Sequence, residues 1–353
     1  MSPTKLELKK LLEKRASSGY LACKWMPRKG PIAAKLRASF GWTPKYYRKR
    51  LVELTNVVET AMCSKNWNSI NFDHVPSLAM SRYMTAFHRN APEAIEQYKA
   101  KLVTGEAKVN AGAVYPYDIV KSIRYGTSSV NDIADKQWDS LPDYMNGNNI
   151  LPIVDVSGSM ESLVGDNALL SCMDVAVSLG LYTSDKNKGA FKDMFLTFSE
   201  KPEFVYLSGT LSEKLRQMQT SHWGMSTDLH AAFKKILEYA VKGKVPQKDM
   251  PSMLLILSDM QFNQCVEHGD SAIGMIERKY REAGYKVPAV VFWNINSYDN
   301  VPVSYNKNGT ALVSGFSPSI MKSVLAANMD DMSPLSIMKQ TVMVDRYNYG
   351  SVR

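Results

Sequence analysis

Apolar residues in the first part of the chain recur at helical spacing. They lie among charges between Lys5 and Arg15, and Pro44 opens a second segment with the same period. Further helices are predicted over residues 77–88, 92–103 and 116–124. Because no sustained strand-type alternation occurs before about residue 140, this part of the chain is predicted to be all-helical.

The pattern changes after a turn-rich segment, D-Y-M-N-G-N-N at residues 143–149. Apolar runs typical of buried strands then alternate with helical segments. The predicted strands are 150–156, 194–198, 253–257 and 289–294, and the predicted helices are 167–182, 228–241 and 272–283. This alternation predicts a doubly wound, mostly parallel sheet. The fold class is therefore α plus α/β, with a basic helical domain at 1–142 and a sheet domain with C-terminal helices at 148–353.

Positive charge is concentrated at the N-terminal end of the chain. Residues 1–50 contain 14 Lys+Arg against 2 Asp+Glu, a net charge of +12, whereas residues 151–353 contain 20 against 21. Aromatic residues alternate with these cations, a combination that suits phosphates and unpaired bases. A solvated basic surface is the alternative interpretation. The candidate RNA-binding residues are Lys24, Arg28, Lys29, Lys35, Arg37, Trp42, Lys45, Arg48, Lys49 and Arg50.

The composition is that of an ordinary globular protein, with 45% hydrophobic and 22% charged residues. No apolar run approaches the roughly 20 residues of a membrane span. The N-terminal segment is charged where a signal peptide needs an apolar core, so a cytoplasmic location without a membrane partner is expected. The four cysteines lie far apart and are expected to be reduced structural thiols.

Oxygen-bearing side chains stand where the predicted strands end. D-V-S-G-S closes the strand at 150–156, L-S-D closes the strand at 253–257, and G-M-S-T-D precedes a predicted helix. Ligands of parallel sheets bind beyond the carboxyl ends of the strands, so we expect these side chains to share one concavity. The candidate metal ligands are Asp155, Ser157, Ser159, Thr227 and Asp259.

All five candidates are hard oxygen ligands, which suit Mg²⁺ or Mn²⁺ and argue against zinc. Two carboxylates leave a doubly charged cation electrophilic, ready to accept an anionic oxygen from outside. Ser226 is an alternative to Thr227 as a hydroxyl ligand, and a turn capped by local hydrogen bonds is the purely structural alternative. Gly158 is expected to provide a backbone conformation that a larger residue would strain.

These motifs resemble the metal-ion-dependent adhesion site (MIDAS) of von Willebrand factor A domains, over roughly residues 148–320. A helical part followed by such a domain is similar to the Ro autoantigen family, whose helical module is called TROVE, and more so to a Ro-like family of bacteria, viruses and plants. The segments that carry this resemblance are 111–113, 115–120, 191–198, 223–229, 258–260, 291–294 and 313–316. The resemblance implies a von Willebrand A (Rossmann-like) fold and an RNA-binding ribonucleoprotein component.

Motifs for catalysis are missing from the sequence. The five histidines form no H-x-x-x-H pair, and neither a G-x-S-x-G elbow nor a P-loop occurs. Two-metal hydrolysis needs more carboxylates than the motif supplies, and Glu161 and Asp166 are interpreted as loop or helix-start charges. We therefore expect a binding protein, with RNA as the first hypothesis. A metal-dependent module for an acidic protein partner is the second, and a metal-dependent hydrolase the third.

Overall fold

The structure of the chain is a computed structural model. The residues that it describes are 23, 26–55, 57–107, 114–125, 131–164, 170–197, 201–221, 229–259, 269–296, 303–306, 310–316, 318–326, 335, 338–339 and 342–343. The predicted helix over 5–15 lies outside these residues. The chain divides into two compact units, Met1–Asn110 and Ala111–Arg353.

The first unit is helical throughout its described part. Its α-helices are α1 Gly30–Phe40, α2 Pro44–Leu54, α3 Val58–Cys63, α4 Ser77–Asn90 and α5 Pro92–Thr104, with 3₁₀ turns at Trp67–Ser69 and Phe72–His74. The Thr43 hydroxyl caps α2 by accepting from the Tyr46 amide at 3.2 Å. Gly41, with φ of +66°, ends α1 in the left-handed conformation that glycine tolerates. The predicted helices at 77–88 and 92–103 are confirmed. The helix predicted to begin at Pro44 is confirmed only to Leu54, because the periodic residues Val57 and Val58 belong to the start of α3, and α1 was not predicted.

The core of the first unit is built on aromatic rings. Phe87 is fully buried on α4, and Phe72 meets it edge to face with ring centroids 5.1 Å apart. Tyr98 of α5 lies 6.0 Å from Phe72 and completes the contact between the two helices. A second cluster holds Tyr47 and Leu51 of α2 against Ala33 of α1. The helices are therefore amphipathic, and most of the basic residues of α1 and α2 are exposed.

The second unit contains a seven-stranded sheet in the order β3-β2-β1-β4-β5-β7-β6. Its strands are β1 Ile150–Val154, β2 Met194–Thr197, β3 Phe204–Tyr206, β4 Met253–Ser258, β5 Ala289–Asn294, β6 Val303–Asn306 and β7 Thr310–Ser314. The five central strands run parallel, and the edge strands β3 and β6 run antiparallel to their neighbours. The predicted mostly parallel sheet is confirmed. Its two antiparallel edge strands and β7 were not predicted.

Helices cover both faces of the sheet. They are α6 Pro116–Tyr125, α7 Asn131–Asp139, α8 Cys172–Lys186, α9 Leu211–Gln219, α10 Leu229–Gly243, α11 Gly269–Glu282 and α12 Pro318–Ala326. Ile150 and Val154 of β1 belong to the core on the α8 side, whereas Leu151 and Ile153 pack with α10 and α11 on the other side. This alternation follows from the two-residue period of a strand. The doubly wound α/β fold class is confirmed.

The boundary between the units differs from the predicted one. The sequence places it between residues 142 and 148, but the second compact unit begins at Ala111. Val120 of α6 and Trp138 of α7 lie in the same core as α8, and the Tyr182 hydroxyl of α8 donates to the Pro142 carbonyl at 2.5 Å. The segment 116–139 has the helical pattern of the first unit, but its apolar face is buried in the second.

Two further predictions concern membranes and cysteines. Among the described residues, no helix is long and apolar enough to span a bilayer. Cys23 and Cys172 are buried free thiols, as expected of structural cysteines, whereas Cys63 is a free thiol that is exposed. Cys265 lies outside the described residues.

Candidate functional site

The carboxyl ends of β1 and β4 form the floor of the candidate site. The two strands are parallel neighbours with Val154 opposite Leu257, and the Asp155 amide continues the pairing by donating to the Leu257 carbonyl at 2.9 Å. Asp155 therefore leaves the sheet at the same level as Asp259, which follows β4 directly. This register brings together two motifs that lie about a hundred residues apart in sequence.

Asp155 is held rigidly at this edge. Its side chain is 3% exposed, and both carboxylate oxygens accept hydrogen bonds. Oδ1 accepts from the Ser157 amide at 2.8 Å, and Oδ2 accepts from the Ser258 hydroxyl at 2.7 Å. Ser258 is a supporting residue that the sequence reasoning did not single out, although it stands beside Asp259 in L-S-D. A buried carboxylate with its position fixed in this way is preorganised for a cation.

The two loop serines join Asp155 to Asp259. The Ser157 and Ser159 hydroxyl oxygens lie 3.0 Å apart, and the Ser159 hydroxyl donates to Asp259 Oδ1 at 3.1 Å. A one-turn 3₁₀ helix, Gly158–Glu161, sets this spacing. Of the five predicted ligands, the structure thus connects Asp155, Ser157, Ser159 and Asp259. Thr227 and its alternative Ser226 lie outside the described residues.

The donor set fits a small hard cation. In an octahedral Mg²⁺ site the metal–oxygen distance is about 2.0–2.1 Å, so neighbouring ligand oxygens lie about 2.9–3.0 Å apart. The separations of 3.0 and 3.1 Å are those of hydrogen-bonded oxygens, and they are close enough to this spacing for the same atoms to share one cation. Among the described residues, no group of three or more His, Cys, Asp or Glu side chains is placed to hold a metal. Of the four predicted ligand residues that the structure describes, two are serines and two are aspartates, so a cation held here would have hydroxyl as well as carboxylate ligands.

Gly158 does not have the role predicted for it. Its φ angle lies outside the left-handed region, and a Cβ added at this position would meet no atom within 4 Å. The 3₁₀ turn at Gly158–Glu161 is accessible to any L-residue, so the loop conformation does not require glycine. The expectation of backbone strain was wrong because it rested on residue type alone.

A cysteine lies beside the loop but is unsuited to bind a cation. Cys172 begins α8 and is fully buried, and the Ser162 hydroxyl donates to its sulfur at 3.6 Å. Burial raises the pKa of the Cys172 thiol, the Ser162 hydrogen bond opposes that rise, and the charge of Asp259 adds to it. The thiol therefore stays protonated, and the oxygen atoms remain the donors available to a metal.

An arginine from α6 packs against the loop, which the sequence did not predict. Arg124 Nη2 donates to Glu161 Oε1 at 2.8 Å, and Nη1 donates to Asp174 Oδ1 at 2.6 Å. The Arg124 side chain is 13% exposed and Asp174 only 1%. Burial works to lower the pKa of Arg124, but the two carboxylates raise it above its ordinary value overall. Glu161, which was interpreted from sequence as a loop charge, is one of the two carboxylates that pair with Arg124.

The third parallel strand also contributes polar groups at this edge. Asn294 ends β5 and is 8% exposed, and its side-chain oxygen accepts from the Asn296 amide at 3.1 Å. Asn296 Nδ2 donates to the Ser162 hydroxyl at 3.3 Å. The N-I-N sequence at the end of an apolar strand indicates polar groups at this edge of the sheet. Asparagines are common in turns, however, so this sequence alone does not predict a site.

The predicted nucleic-acid-binding residues lie on α1, α2 and the segment before α1. Those that are exposed are Arg28, Lys29, Lys35, Lys45, Arg48 and Lys49. Arg37 and Arg50 are half-buried: Arg37 Nε donates to the Ala33 carbonyl, and Arg50 pairs with Glu53 at 3.1 Å. Lys24 lies outside the described residues. We call the hairpin α1–α2, with the preceding residues 26–29, the basic hairpin.

Trp42 lies at the turn of the basic hairpin within a cluster of rings. Its ring centroid is 4.8 Å from Phe40 and 5.3 Å from Tyr46. Tyr46 is 51% exposed, whereas Tyr47 is fully buried and donates its hydroxyl to the Pro27 carbonyl. The aromatic residues of this segment therefore divide into a buried anchor and an accessible surface beside the lysines.

A family model described as "Domain of unknown function (DUF7788)" matches residues 149–346, which is more than half of the chain. The chain belongs to the DUF7788 family. A second model, described as "Domain of unknown function (DUF2828)", matches residues 35–149 of this DUF7788 protein. The two matches meet at residue 149, next to the boundary predicted from sequence, whereas the compact second unit takes in α6 and α7 of the DUF2828 match.

A viral protein is similar to this DUF7788 protein over most of its length. "Uncharacterized protein L728" of Acanthamoeba polyphaga mimivirus is 31% identical over 350 residues, covering 90% of this chain and 59% of the relative. The chain thus spans less than two thirds of that relative. Among solved structures, the RO (RSR) protein of Deinococcus radiodurans is similar with a TM-score of 0.49 and 14% identity, covering 92% of this chain and 64% of that one.

Proposed function

We propose that this protein binds single-stranded RNA through the basic hairpin. One observation supports this above all: residues 26–54 contain eight Lys+Arg and a single acidic residue, Glu53, and six of the cations are exposed. The exposed ring of Tyr46 and the half-buried ring of Trp42 lie among them. Cations neutralise phosphates and ring faces stack on unpaired bases, whatever the sequence. The Ro-like resemblance seen in the sequence points to the same class of ligand.

The site at Asp155 would hold Mg²⁺ or Mn²⁺ in this proposal. Asp155, Ser157, Ser159 and Asp259 would supply oxygen donors, with Thr227 as the fifth predicted ligand. When bound, the cation supplies an electrophilic centre that accepts an anionic oxygen. We infer binding rather than catalysis because the described cluster offers two carboxylates, fewer than two-metal hydrolysis uses. RNA that is shortened after long incubation with Mg²⁺ would contradict this.

The RNA proposal is tested by the salt dependence of affinity. For single strands the slope of log K against log salt is about −0.7 per neutralised phosphate. Replacing Lys45, Arg48 and Lys49 together with Gln should reduce the slope by up to about 2 and weaken binding of an unstructured oligoribonucleotide, measured by fluorescence anisotropy. The matched control replaces three exposed lysines of the second unit, Lys235, Lys242 and Lys244, with Gln. Equal effects of the two triple variants, or an affinity indifferent to salt, would overturn the proposal.

A second function is favoured by the charge of the second unit. Residues 111–353 contain 23 Lys+Arg against 26 Asp+Glu, so this unit has no excess positive charge with which to bind an extended phosphate backbone. The cation site would then accept a carboxylate from an acidic protein partner. Asp155→Ala should abolish capture of such a partner and leave RNA affinity unchanged. If the substitution weakens RNA binding and spares protein partners, the RNA proposal holds for this site as well.

A further inference from the structure

Arg124 connects the loop 155–162, which carries the proposed cation ligands and is called the cation loop below, to α6, which precedes the sheet in the chain. Its guanidinium lies between two carboxylates that stand on different elements: Glu161 at the end of the 3₁₀ turn that carries Ser159, and Asp174 in the first turn of α8. Both contacts are short, at 2.8 and 2.6 Å, and the arginine is 13% exposed. A planar guanidinium holds two partners in a fixed geometry, which a lysine cannot do.

The Asp174 end of this connection is rigid. Asp174 Oδ2 accepts from the Ser171 amide, and the Ser171 hydroxyl accepts from the Asp174 amide, both at 3.1 Å. This capping box fixes the start of α8. Arg124 therefore uses a buried, immobile carboxylate as its anchor and reaches from it to the loop.

The Glu161 end belongs to the cation loop itself. Glu161 is two residues from Ser159 in a single 3₁₀ turn, so its position is coupled to that of the serine hydroxyls. The rest of the loop is also tied to α8, because the Cys172 amide donates to the Ser162 carbonyl at 2.8 Å. The Glu161 side chain is nevertheless half exposed, with 53% of its surface accessible. Among the described residues, the ion pair with Arg124 is the contact that holds this side chain in place.

We propose that Arg124 is a positioning residue for the cation site, which couples the docking of α6 to cation binding at Asp155, Ser157 and Ser159. By holding Glu161, Arg124 fixes the 3₁₀ turn and with it the distance between the Ser157 and Ser159 hydroxyl oxygens. The Glu161 carboxylate then points to the guanidinium and not to the cation. The inference rests on the proposed cation site. Coupling of this kind is reciprocal: a bound cation stabilises the docked α6, and the docked α6 raises cation affinity.

Two substitutions at Glu161 separate position from charge. Glu161→Gln removes the negative charge but keeps a carbonyl oxygen for Arg124 Nη2, whereas Glu161→Ala removes the restraint as well. Both leave the buried Arg124–Asp174 pair intact. Partners that orient metal ligands are worth about 10- to 100-fold in metal affinity. We expect Glu161→Ala to weaken Mn²⁺ binding by about tenfold or more, and Glu161→Gln to stay within about threefold of the wild type.

The experiment is a Mn²⁺ titration of the full chain by calorimetry, with hydrogen exchange of the α6 amides followed in parallel. Wild-type α6 should exchange more slowly when Mn²⁺ is added, and this protection should be lost in Glu161→Ala. Lys121→Ala on α6, which removes a cation one turn before Arg124, is the control and should leave both readouts unchanged. Equal Mn²⁺ affinities of the Ala and Gln variants, or α6 exchange that is insensitive to Mn²⁺, would overturn the coupling. A wild-type chain that binds no Mn²⁺ would remove the cation site and this inference together.

Discussion

At the scale of single residues, one hydroxyl group joins the described oxygen atoms of the proposed cation site. Asp155 and Asp259 are joined through Ser159, whose hydroxyl lies within 3.1 Å of both the Ser157 hydroxyl and the Asp259 carboxylate. Removing this hydroxyl therefore breaks both hydrogen bonds that link the Asp155 loop to Asp259. The D-x-S-x-S spacing predicted this arrangement because a turn that follows a strand brings alternate side chains to one side.

Ser159→Ala tests whether that hydroxyl is a ligand. We expect the substitution to lower Mn²⁺ affinity by at least about tenfold, since it deletes a donor and frees Asp259. The thermal midpoint without metal should change little, because the residue is exposed. Titration calorimetry measures the first quantity and circular dichroism the second. Ser208→Ala, at another exposed serine, is the control, and the idea fails if both variants bind Mn²⁺ equally.

Replacing two glycines near the site with alanine is expected to affect the stability of the protein to different extents. Gly180 lies on α8 against β1, where an added Cβ would meet Val154 Cγ2 at 2.5 Å and Met218 Cε at 3.2 Å. Gly180→Ala should destabilise the protein by about 1–3 kcal/mol through overpacking. Gly158→Ala should cost less than about 0.5 kcal/mol, since space and backbone both allow it. Urea unfolding compares the two, and a larger loss at Gly158 would show that the loop needs glycine after all.

At the scale of elements, four of the five parallel strands were predicted from sequence, whereas β7 and the two edge strands were not. β1, β4 and β5 are buried along their lengths, so each shows as an apolar run. β3 has three residues and a half-exposed pattern, which is too short for periodicity to show. α9 begins with a capping box between Thr210 and Glu213, so T-L-S-E was a helix signal present in the sequence but not used.

Helices α6 and α7 show where sequence pattern cannot decide. Their amphipathic period predicts a helix correctly for residues 116–124, but periodicity does not say which core receives the apolar face. That information lies in contacts such as Val120 and Trp138 with the α8 core, and in the ion pair between Arg124 and Asp174. For this reason the compact second unit begins before the predicted boundary, although the two family matches meet at residue 149, next to that boundary.

Truncation tests the boundary directly. A fragment of residues 111–353 should unfold cooperatively on heating. A fragment of 149–353 should lack a sharp transition and bind a hydrophobic dye, because it lacks α6 and α7, exposes the apolar face of α8 that they cover, and loses Arg124, the ion-pair partner of Asp174. Native domains are stable by only about 5–15 kcal/mol, so loss of this buried apolar surface is expected to remove a large part of the stability. Similar melting curves for the two fragments would place the boundary at residue 149.

At the scale of the whole molecule, the two features proposed to bind anions lie in different units. The basic hairpin has exposed cations in the first unit, and the Asp155 cluster would add a divalent cation in the second. A lysine surface binds phosphates diffusely and is screened by salt, whereas a coordinated cation binds one oxygen and is screened less. The two features therefore predict different responses to salt and to chelation.

Chelation separates the contributions of the two units to RNA binding. If the cation accepts a phosphate oxygen, EDTA should weaken binding of an unstructured oligouridine to the wild type by several-fold, and Asp155→Ala should bind as the EDTA-treated wild type does. The Lys45, Arg48 and Lys49 triple variant should remain sensitive to EDTA, because its loss lies in the other unit. An unstructured oligonucleotide avoids effects of Mg²⁺ on RNA folding. If EDTA and Asp155→Ala leave RNA affinity unchanged while the triple variant loses it, the hairpin alone binds RNA, and the cation site is free to accept the carboxylate of a protein partner.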